Sequence, residues 1–117
     1  MIIERTLIAV GGAADGNIWP GHFGIAPVFY LYNQQGVLVE KRPNPYGAGQ
    51  TGMPSHHDNP RLIVDLLPES GVFIARRMGG ASKQMLVHNL NITTVLTAEK
   101  QPDVAVRHYL RERGRKC

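Results

Sequence analysis

Short apolar runs, separated by glycine-rich or polar segments, predict the strands of a buried sheet. The first run is residues 6–10, which end at Gly11-Gly12, and another spans residues 71–75; residues 92–96 are predicted to form a further strand. Apolar runs of this length without alternation are typical of strands covered on both faces. The pattern therefore predicts a sheet whose central strands lie between two other layers.

A hairpin and a long loop are predicted in the first half of the chain. Residues 28–32 and 37–41 flank Asn33-Gln34-Gln35-Gly36, in which the glycine can supply the positive φ that hairpin turns need. The 16 residues from 43 to 58 then show no periodicity. Loops of this length are uncommon in small domains and are usually functional or disordered.

Three helices are predicted in the second half. Asn59-Pro60 provides an N-cap followed by proline at the first helical position, a second helical pattern begins at Gly79, and Thr97 and Pro102 open a third. Because strands alternate with helices in this half, we expect an α/β fold with three layers, α/β/α, and a largely parallel sheet.

The 117 residues are expected to form one domain, with its core at residues 6–110 and a basic C-terminal tail at 111–117. Hydrophobic residues make up 43% of the chain and charged residues 19%, which is ordinary for a globular domain. The net charge of +4 arises in residues 107–116, where five Lys and Arg side chains stand against Glu112 alone. Because the rest of the chain is neutral, we do not expect a nucleic-acid-binding face.

The chain contains one cysteine, Cys117. This count excludes a disulfide framework within the chain and any zinc or iron–sulfur site that needs four cysteines from it. No apolar run approaches the roughly 20 residues that span a bilayer, and the N-terminal residues do not form a signal peptide. The expected protein is cytoplasmic and has no membrane partner, and its oligomeric state stays open.

Common enzyme signatures are missing. Gly11 and Gly16 have the spacing of a phosphate-binding loop, but Asn17 stands where lysine is required, and no dinucleotide fingerprint is present. The first and fourth predicted strands carry no carboxylates for a two-metal nuclease, and no serine lies in a nucleophile elbow. We therefore expect a non-catalytic protein, with a small-molecule hydrolase as a minor alternative.

Histidines occur in two loops that glycines constrain. His22 lies between Gly21 and Phe23-Gly24 in the loop after the first strand, and His56-His57 closes the long loop. Neutral imidazole is the commonest metal ligand among side chains, and loops at the carboxyl ends of strands converge on one crevice. His22, His56 and His57 are therefore candidate metal ligands. The alternative is that they are surface histidines without a role.

Arg76-Arg77-Met78-Gly79-Gly80 links a buried strand to a helix. Two guanidinium groups, glycines that permit close approach and the free N–H groups of a helix start would suit an anion. These five residues are therefore candidates for binding an anionic cofactor. The alternative is a solvated arginine pair at the end of a strand.

Several of these segments together resemble the dinitrogenase iron–molybdenum cofactor biosynthesis family. Residues 22–29 (His-Phe-Gly-Ile-Ala-Pro-Val-Phe) are similar to its HFGxAxxF segment, and Asn44-Pro45, the histidine-containing loop, residues 72–75 and residues 78–81 follow in the family's order. The resemblance implies a topology similar to ribonuclease H without the nuclease carboxylates, with a five-stranded mixed sheet of order 3-2-1-4-5 and helices on both faces. Family members bind, hold or deliver the iron–molybdenum cofactor or its iron–sulfur precursor, and a related small protein binds a molybdenum–copper sulfide cluster without covalent attachment.

The resemblance implies a carrier for an iron–molybdenum or other metal–sulfur cluster, which donor and acceptor proteins would supply and receive. Two departures bear on this expectation: Arg76-Arg77 stands where the family commonly has glycines, and His56-His57 replaces a His-Gly-His-Gly type of run. The added positive charge suits an anionic cluster, or equally a different anion. With one cysteine per chain, the cluster would be held by histidine, hydrogen bonds and charge, and would be labile.

A different class of function stays open. The chain could be an interaction or regulatory module of the same fold without a cofactor, which uses its basic C-terminal segment to contact a protein or nucleic-acid partner. Salt-dependent partner binding that is lost with residues 111–117 would be its signature.

Overall fold

The computed structural model describes residues 5–45, 47 and 60–115, and within these ranges the chain forms five strands and three helices in the predicted order. They are β1 (Leu7–Gly12), β2 (Val28–Tyr32), β3 (Leu38–Pro43), α1 (Pro60–Leu66), β4 (Ser70–Ala75), α2 (Gly80–Gln84), β5 (Thr93–Leu96) and α3 (Pro102–Arg115). A 3₁₀ turn at Phe23–Ile25 precedes β2, and a π-helical turn at Met85–Asn89 continues α2. None of the helices in these ranges is both long enough and apolar enough to cross a bilayer.

The strands form one mixed sheet of order β3-β2-β1-β4-β5, which confirms the predicted arrangement. β1 and β3 each pair with β2 in antiparallel fashion, whereas β1–β4 and β4–β5 are parallel. At the centre of the sheet, Ala9 of β1 lies between Leu31 of β2 and Phe73 of β4. β1 is thus the strand at which the sheet changes from antiparallel to parallel.

Alternation along the central strands separates two cores, one on each face of the sheet. On one face, Phe29, Leu31 and Phe73 pack with residues of α1 and of the π-helical turn. On the other face, Ile8, Val10 and Ile74 pack with Ala105 and Val106 of α3. Because helices cover both faces, the three predicted layers are confirmed.

β1 differs from its expected length because it continues through Gly11-Gly12 instead of ending there. A Cβ atom on Gly12 would lie 2.2 Å from the ring of Tyr30, and one on Gly11 would lie 3.2 Å from Phe23. Glycine is therefore required at Gly12 by the close approach of an aromatic ring, not by a turn.

Other boundaries of strands and helices also differ from the predicted ones. β3 begins at Leu38, because the N–H of Val37 donates to Oδ1 of Asn33 inside the turn. The second helix changes at Met85 to a π-helical turn, which closes with a 3.1 Å hydrogen bond from Leu90 N to Met85 O. Helix α3 continues to Arg115, so most of the basic C-terminal segment is helical.

Candidate functional site

The loop that follows β1 returns to the sheet and pairs with the chain that leaves β4. β1 and β4 stay paired as far as Val10 and Ile74, and beyond this point His22 takes up a parallel bridge with Arg77. The N–H of Phe23 donates to the carbonyl oxygen of Arg77 at 3.0 Å. The structure thus joins two of the segments in which the sequence places candidate residues.

A small pocket opens beside this pairing, on the face of the sheet that α1 and α2 cover. The side chains at its base are apolar, and the rings of Phe23 and Phe73 stack there with centroids 4.6 Å apart. Its enclosed volume is about 20 Å³, which has room for about one water molecule. A larger ligand would therefore lie over the mouth. The pocket is lined by His22, Phe23, Gly24, Ile63, Phe73, Met78, Gly79, Ser82 and Leu86.

The His22 ring lies over the start of the helix that follows β4. A Cβ atom on Gly79 would lie 4.0 Å from Nδ1 of His22 and 3.9 Å from Oγ of Ser82, while one on Gly80 would meet no atom of the described residues within 4 Å. The first intrahelical bond runs from Lys83 N to Gly79 O at 2.8 Å, so the amides of the preceding turn have no acceptor within the helix. His22, Gly79 and the start of α2 thus form an open surface.

The two arginines directly follow β4, and Arg77 is the partner of His22 in the backbone bridge. Arg76 is half-buried, Arg77 is exposed, and neither lines the pocket. Among the described residues, neither guanidinium group makes a hydrogen bond or an ion pair. No carboxylate lines the pocket in the described part of the chain. Arg77 is therefore the basic residue whose backbone adjoins the pocket, through its bridge to His22.

A buried asparagine holds the His22 loop in place. Asn44 is 1% exposed, and its Nδ2 donates to the carbonyl oxygens of Gly24 at 3.0 Å and of Ala26 at 2.8 Å. Gly47 N donates back to the carbonyl oxygen of Asn44 at 3.1 Å. The chain after β3 thus fixes the backbone from which His22 projects.

His56 and His57 lie outside the described residues, as does Met53 in the same loop. Of the other histidines, His88 lies exposed in the π-helical turn, and His108 on α3 has its Nδ1 3.7 Å from Oε1 of Glu99. Within the described ranges, no group of three or more His, Cys, Asp or Glu side chains could hold a metal ion. The described part of the site offers one histidine, main-chain amides and positive charge.

The structure also adds residues that sequence reasoning did not assign to the site. Ser82 follows Gly79 by three residues, which is one helical turn, so this spacing could have placed it on the same face. In the sequence, Asn44 is notable only through the family resemblance, because nothing in its local sequence shows that it is buried against Gly24. The apolar lining comes from four elements and the loop after β4, and has no local sequence signal.

The fold is similar to those of solved structures, although no family model and no curated protein matches the sequence. One is the apo form of the orange protein from Desulfovibrio gigas, with a TM-score of 0.72 and 22% identity over 95% of this chain and 92% of that chain. Another is PH0822, with a TM-score of 0.62 and 15% identity over 91% of this chain and 89% of that chain. At these identities the likeness shows a shared fold.

Proposed function

We propose that this protein is a non-catalytic carrier that binds an anionic metal–sulfur cluster reversibly as cargo at the His22–Arg77 surface. The observation that carries the proposal is the backbone pairing of His22 with Arg77, since it brings the segment of His22 beside the segment that holds the two arginines and the glycine-lined helix start. The family resemblance of these same segments supports it. The shared fold also supports the proposal. An apo form of the orange protein implies that the orange protein also has a form with a bound group.

The chemistry of the described residues suits an anion better than a bare metal ion. His22 alone cannot complete a coordination sphere, and no group of metal-ligating side chains surrounds it within the described ranges. Sulfide and thiometallate ions carry their own negative charge, which Arg76 and Arg77 would balance. We infer that His22 contacts the cluster, that His56 and His57 are further ligands from the long loop, and that the main-chain amides of Gly79 and Gly80 donate to sulfide.

We infer from the small size of the pocket that the cargo binds at its mouth. The pocket has room for about one water molecule, so Met78 and the aromatic base form an apolar support and do not enclose the cluster. A cluster at the mouth would lie over Gly80, where an added Cβ atom meets no atom of the described residues within 4 Å. Gly80→Trp should therefore block uptake and leave the fold intact, whereas Gly80→Ala should retain most uptake.

The direct test is anaerobic loading followed by gel filtration and metal analysis. Tetrathiomolybdate with copper(I), and ferrous iron with sulfide and molybdate, are the two probes. We expect metal and sulfide to co-elute with the protein and uptake to fall at least tenfold in the His22→Ala, His56→Ala, His57→Ala variant. Arg76→Ala with Arg77→Ala should weaken retention in a salt-dependent way.

Exposed residues elsewhere provide matched controls. His88→Ala removes an exposed histidine outside the pocket, and Arg111→Ala removes an exposed arginine on α3. Both variants should load like the original protein. Absence of co-eluting metal with either probe, or equal uptake by the triple histidine variant, would refute the proposed role of the histidines.

The chain also carries an internal reporter. Trp19 is the single tryptophan, and its Nε1 lies 2.7 Å from the position of a Cβ on Gly21, the residue before His22. A coloured metal–sulfur cluster bound at His22 should quench the fluorescence of Trp19. Quenching that saturates at one cluster per chain, and disappears in the His22→Ala, His56→Ala, His57→Ala variant, would support binding at this surface.

A further inference from the structure

The two edges of the sheet differ in how they are protected from pairing with another strand. The β3 edge carries charged side chains, ends in Pro43, and has a register shift that leaves Val39 out of the ladder. Charges, proline and bulges are the devices that natural edge strands use against pairing. In Thr93–Leu96, at the other edge, no charge, proline or register shift is present. β5 is therefore the edge that is open to a further strand.

The outer side of β5 presents main-chain groups at alternate residues. The N–H of Thr97 donates to the carbonyl oxygen of Ala75 in β4 at 2.9 Å. Because the direction of backbone N–H and C=O groups alternates along a strand, those of Thr94 and Leu96 point away from β4. No strand pairs with this side in the described part of the chain. Each chain thus offers two residues, two positions apart, for pairing.

These two residues are complementary to a second copy of themselves. If two β5 strands run antiparallel about a two-fold axis at Val95, Thr94 of each copy lies opposite the partner's Leu96. Because both residues of such a pair point outward, the pair exchanges both of its N–H···O bonds, and the two symmetric pairs are equivalent. A two-fold interface uses the same patch on both copies, and this pairing meets that condition.

The side chains on the α2 face suit this register. Thr94 and Leu96 pair with Phe73 and Ala75 of β4, which belong to the core on that face, so their own side chains lie on it too. Leu96 is 49% exposed and Val87 is 39% exposed. Val87 and Thr94 line one groove beside the edge. The partner's Leu96, opposite Thr94, would enter this groove next to Val87, and the same contact would form in reverse on the other copy.

The charges beside the edge on the α3 face do not oppose this pairing. A groove runs there along the whole of β5, and in the described part of the chain its charged side chains are Glu112 and Arg113, which carry opposite charges. Arg113 also donates to Oε1 of Gln34. The two-fold axis would place two grooves of balanced charge side by side, with Val95 next to the partner's Val95. This balance favours a second copy over a strongly acidic or basic partner.

We propose that two copies of the protein pair through β5 as antiparallel strands and join their two five-stranded sheets into one. The dimer is closed, because both outer edges of the joined sheet are the protected β3 strands. Since the strands of the two copies run in opposite directions, the two His22–Arg77 surfaces lie at opposite ends of the joined sheet and both stay open. The proposal therefore does not depend on cluster binding.

The first test is self-association of the full chain. A small interface of this kind is typical of weak complexes, so sedimentation velocity should show a monomer at about 10 µM and a dimer at about 1 mM. Hydrogen exchange, measured by NMR on the chain labelled with nitrogen-15, should slow at the amides of Thr94 and Leu96 as the concentration rises. The amides of Leu38–Pro43 should exchange at the same rate at both concentrations.

A matched pair of lysine variants tests the edge. Leu96→Lys places a charge on β5, as protected edge strands do, and should raise the dissociation constant of the dimer at least tenfold. Leu38→Lys is the same change on β3 and should leave the dimer unchanged. Both side chains are exposed, so both variants should fold.

A cysteine at Val95 tests the register. On the two-fold axis the two Val95 residues form a non-hydrogen-bonded pair, whose Cα atoms lie about 4.5 Å apart, and a disulfide can span this distance. Val95→Cys, combined with Cys117→Ser to remove the native thiol, should therefore form a covalent dimer with oxidised glutathione as the oxidant. Val39→Cys with Cys117→Ser is the control on the other edge and should stay monomeric.

Three results would overturn the proposal. The first is a monomer at about 1 mM. The second is a dimer that Leu96→Lys retains, or one that protects the amides of Leu38–Pro43 instead of those of Thr94 and Leu96. The third is a non-covalent dimer of the Val95→Cys, Cys117→Ser variant that does not cross-link, since the strands would then pair in another register.

Discussion

Replacing Asn44 should destabilise the protein far more than the small size of this side chain suggests. The side chain is 1% exposed, and its Nδ2 donates to the carbonyl oxygens of Gly24 and Ala26. Asn44→Ala leaves both acceptors buried without this donor, at a cost of about 1–2 kcal/mol each. The expected loss of roughly 2–4 kcal/mol is a large part of a total stability of about 5–15 kcal/mol.

Equilibrium unfolding in urea measures this loss. With a denaturant dependence of about 2 kcal/mol per M, the urea midpoint should fall by roughly 1–2 M at an unchanged slope. Asn89→Ala is the matched control, since Asn89 is exposed on the π-helical turn, and its midpoint should stay nearly constant. An Asn44→Ala midpoint equal to that of the original chain would refute the role assigned to the two hydrogen bonds.

Asn44→Asp tests the direction of these bonds. At neutral pH a carboxylate would face the carbonyl oxygens of Gly24 and Ala26, so this variant should be less stable than Asn44→Ala. The protonated carboxyl group can donate, which raises its pKa in the folded state above that in the unfolded state. Its contribution is therefore present at acidic pH and lost as the pH rises. The deficit relative to the original chain should narrow as the pH is lowered from about 7 to about 4.

Three further outcomes are expected from stability measurements. Gly12→Ala places a Cβ 2.2 Å from the ring of Tyr30, and overpacking of this kind should cost about 1–3 kcal/mol in urea unfolding; an unchanged midpoint would contradict it. The hydrogen bond from Arg42 holds the pKa of Glu69 below its ordinary value of 4.5, so this contribution is present above pH 4.5 and is lost as the pH falls below it. Glu69→Gln should therefore cost roughly 1 kcal/mol at neutral pH and flatten the acid dependence of stability. Burial raises the pKa of Tyr32 to about 12, so stability should be lost as the pH rises from 10 towards 12, and Tyr32→Phe should move alkaline unfolding, followed by circular dichroism, to higher pH.

The central strands could be predicted because their buried residues form short apolar runs in the sequence. Residues 71–75 are apolar because β4 has a helix layer on either side. Residues 92–96 include two threonines because β5 lies at the edge of the sheet. β4 and β5 are found within a residue of the predicted positions. The end of β1 was not predictable in this way. Gly11-Gly12 has the composition of a turn, and only the long-range approach of the Tyr30 ring explains why glycines continue the strand.

The position of the candidate site could be predicted only as far as the topology of the sheet determines it. Parallel neighbouring strands bring their carboxyl ends to the same edge, and the loops after β1 and β4 do meet there through His22 and Arg77. The residues that shape the pocket, such as Ile63 and Leu86, come from helices that are distant in sequence. Their positions depend on packing across the sheet, which no local spacing encodes.

The way in which the two loops join determines what substitutions at the site can report. His22 and Arg77 are linked through main-chain atoms, with Phe23 N donating to Arg77 O, and Asn44 holds the same loop through main-chain carbonyls. Because main-chain bonds survive side-chain truncation, His22→Ala and Arg77→Ala should remove an imidazole and a guanidinium group while the loops stay paired. Loss of cluster uptake in these variants would therefore measure the chemistry of the site. Asn44→Ala, which disturbs the backbone itself, should reduce stability and uptake together.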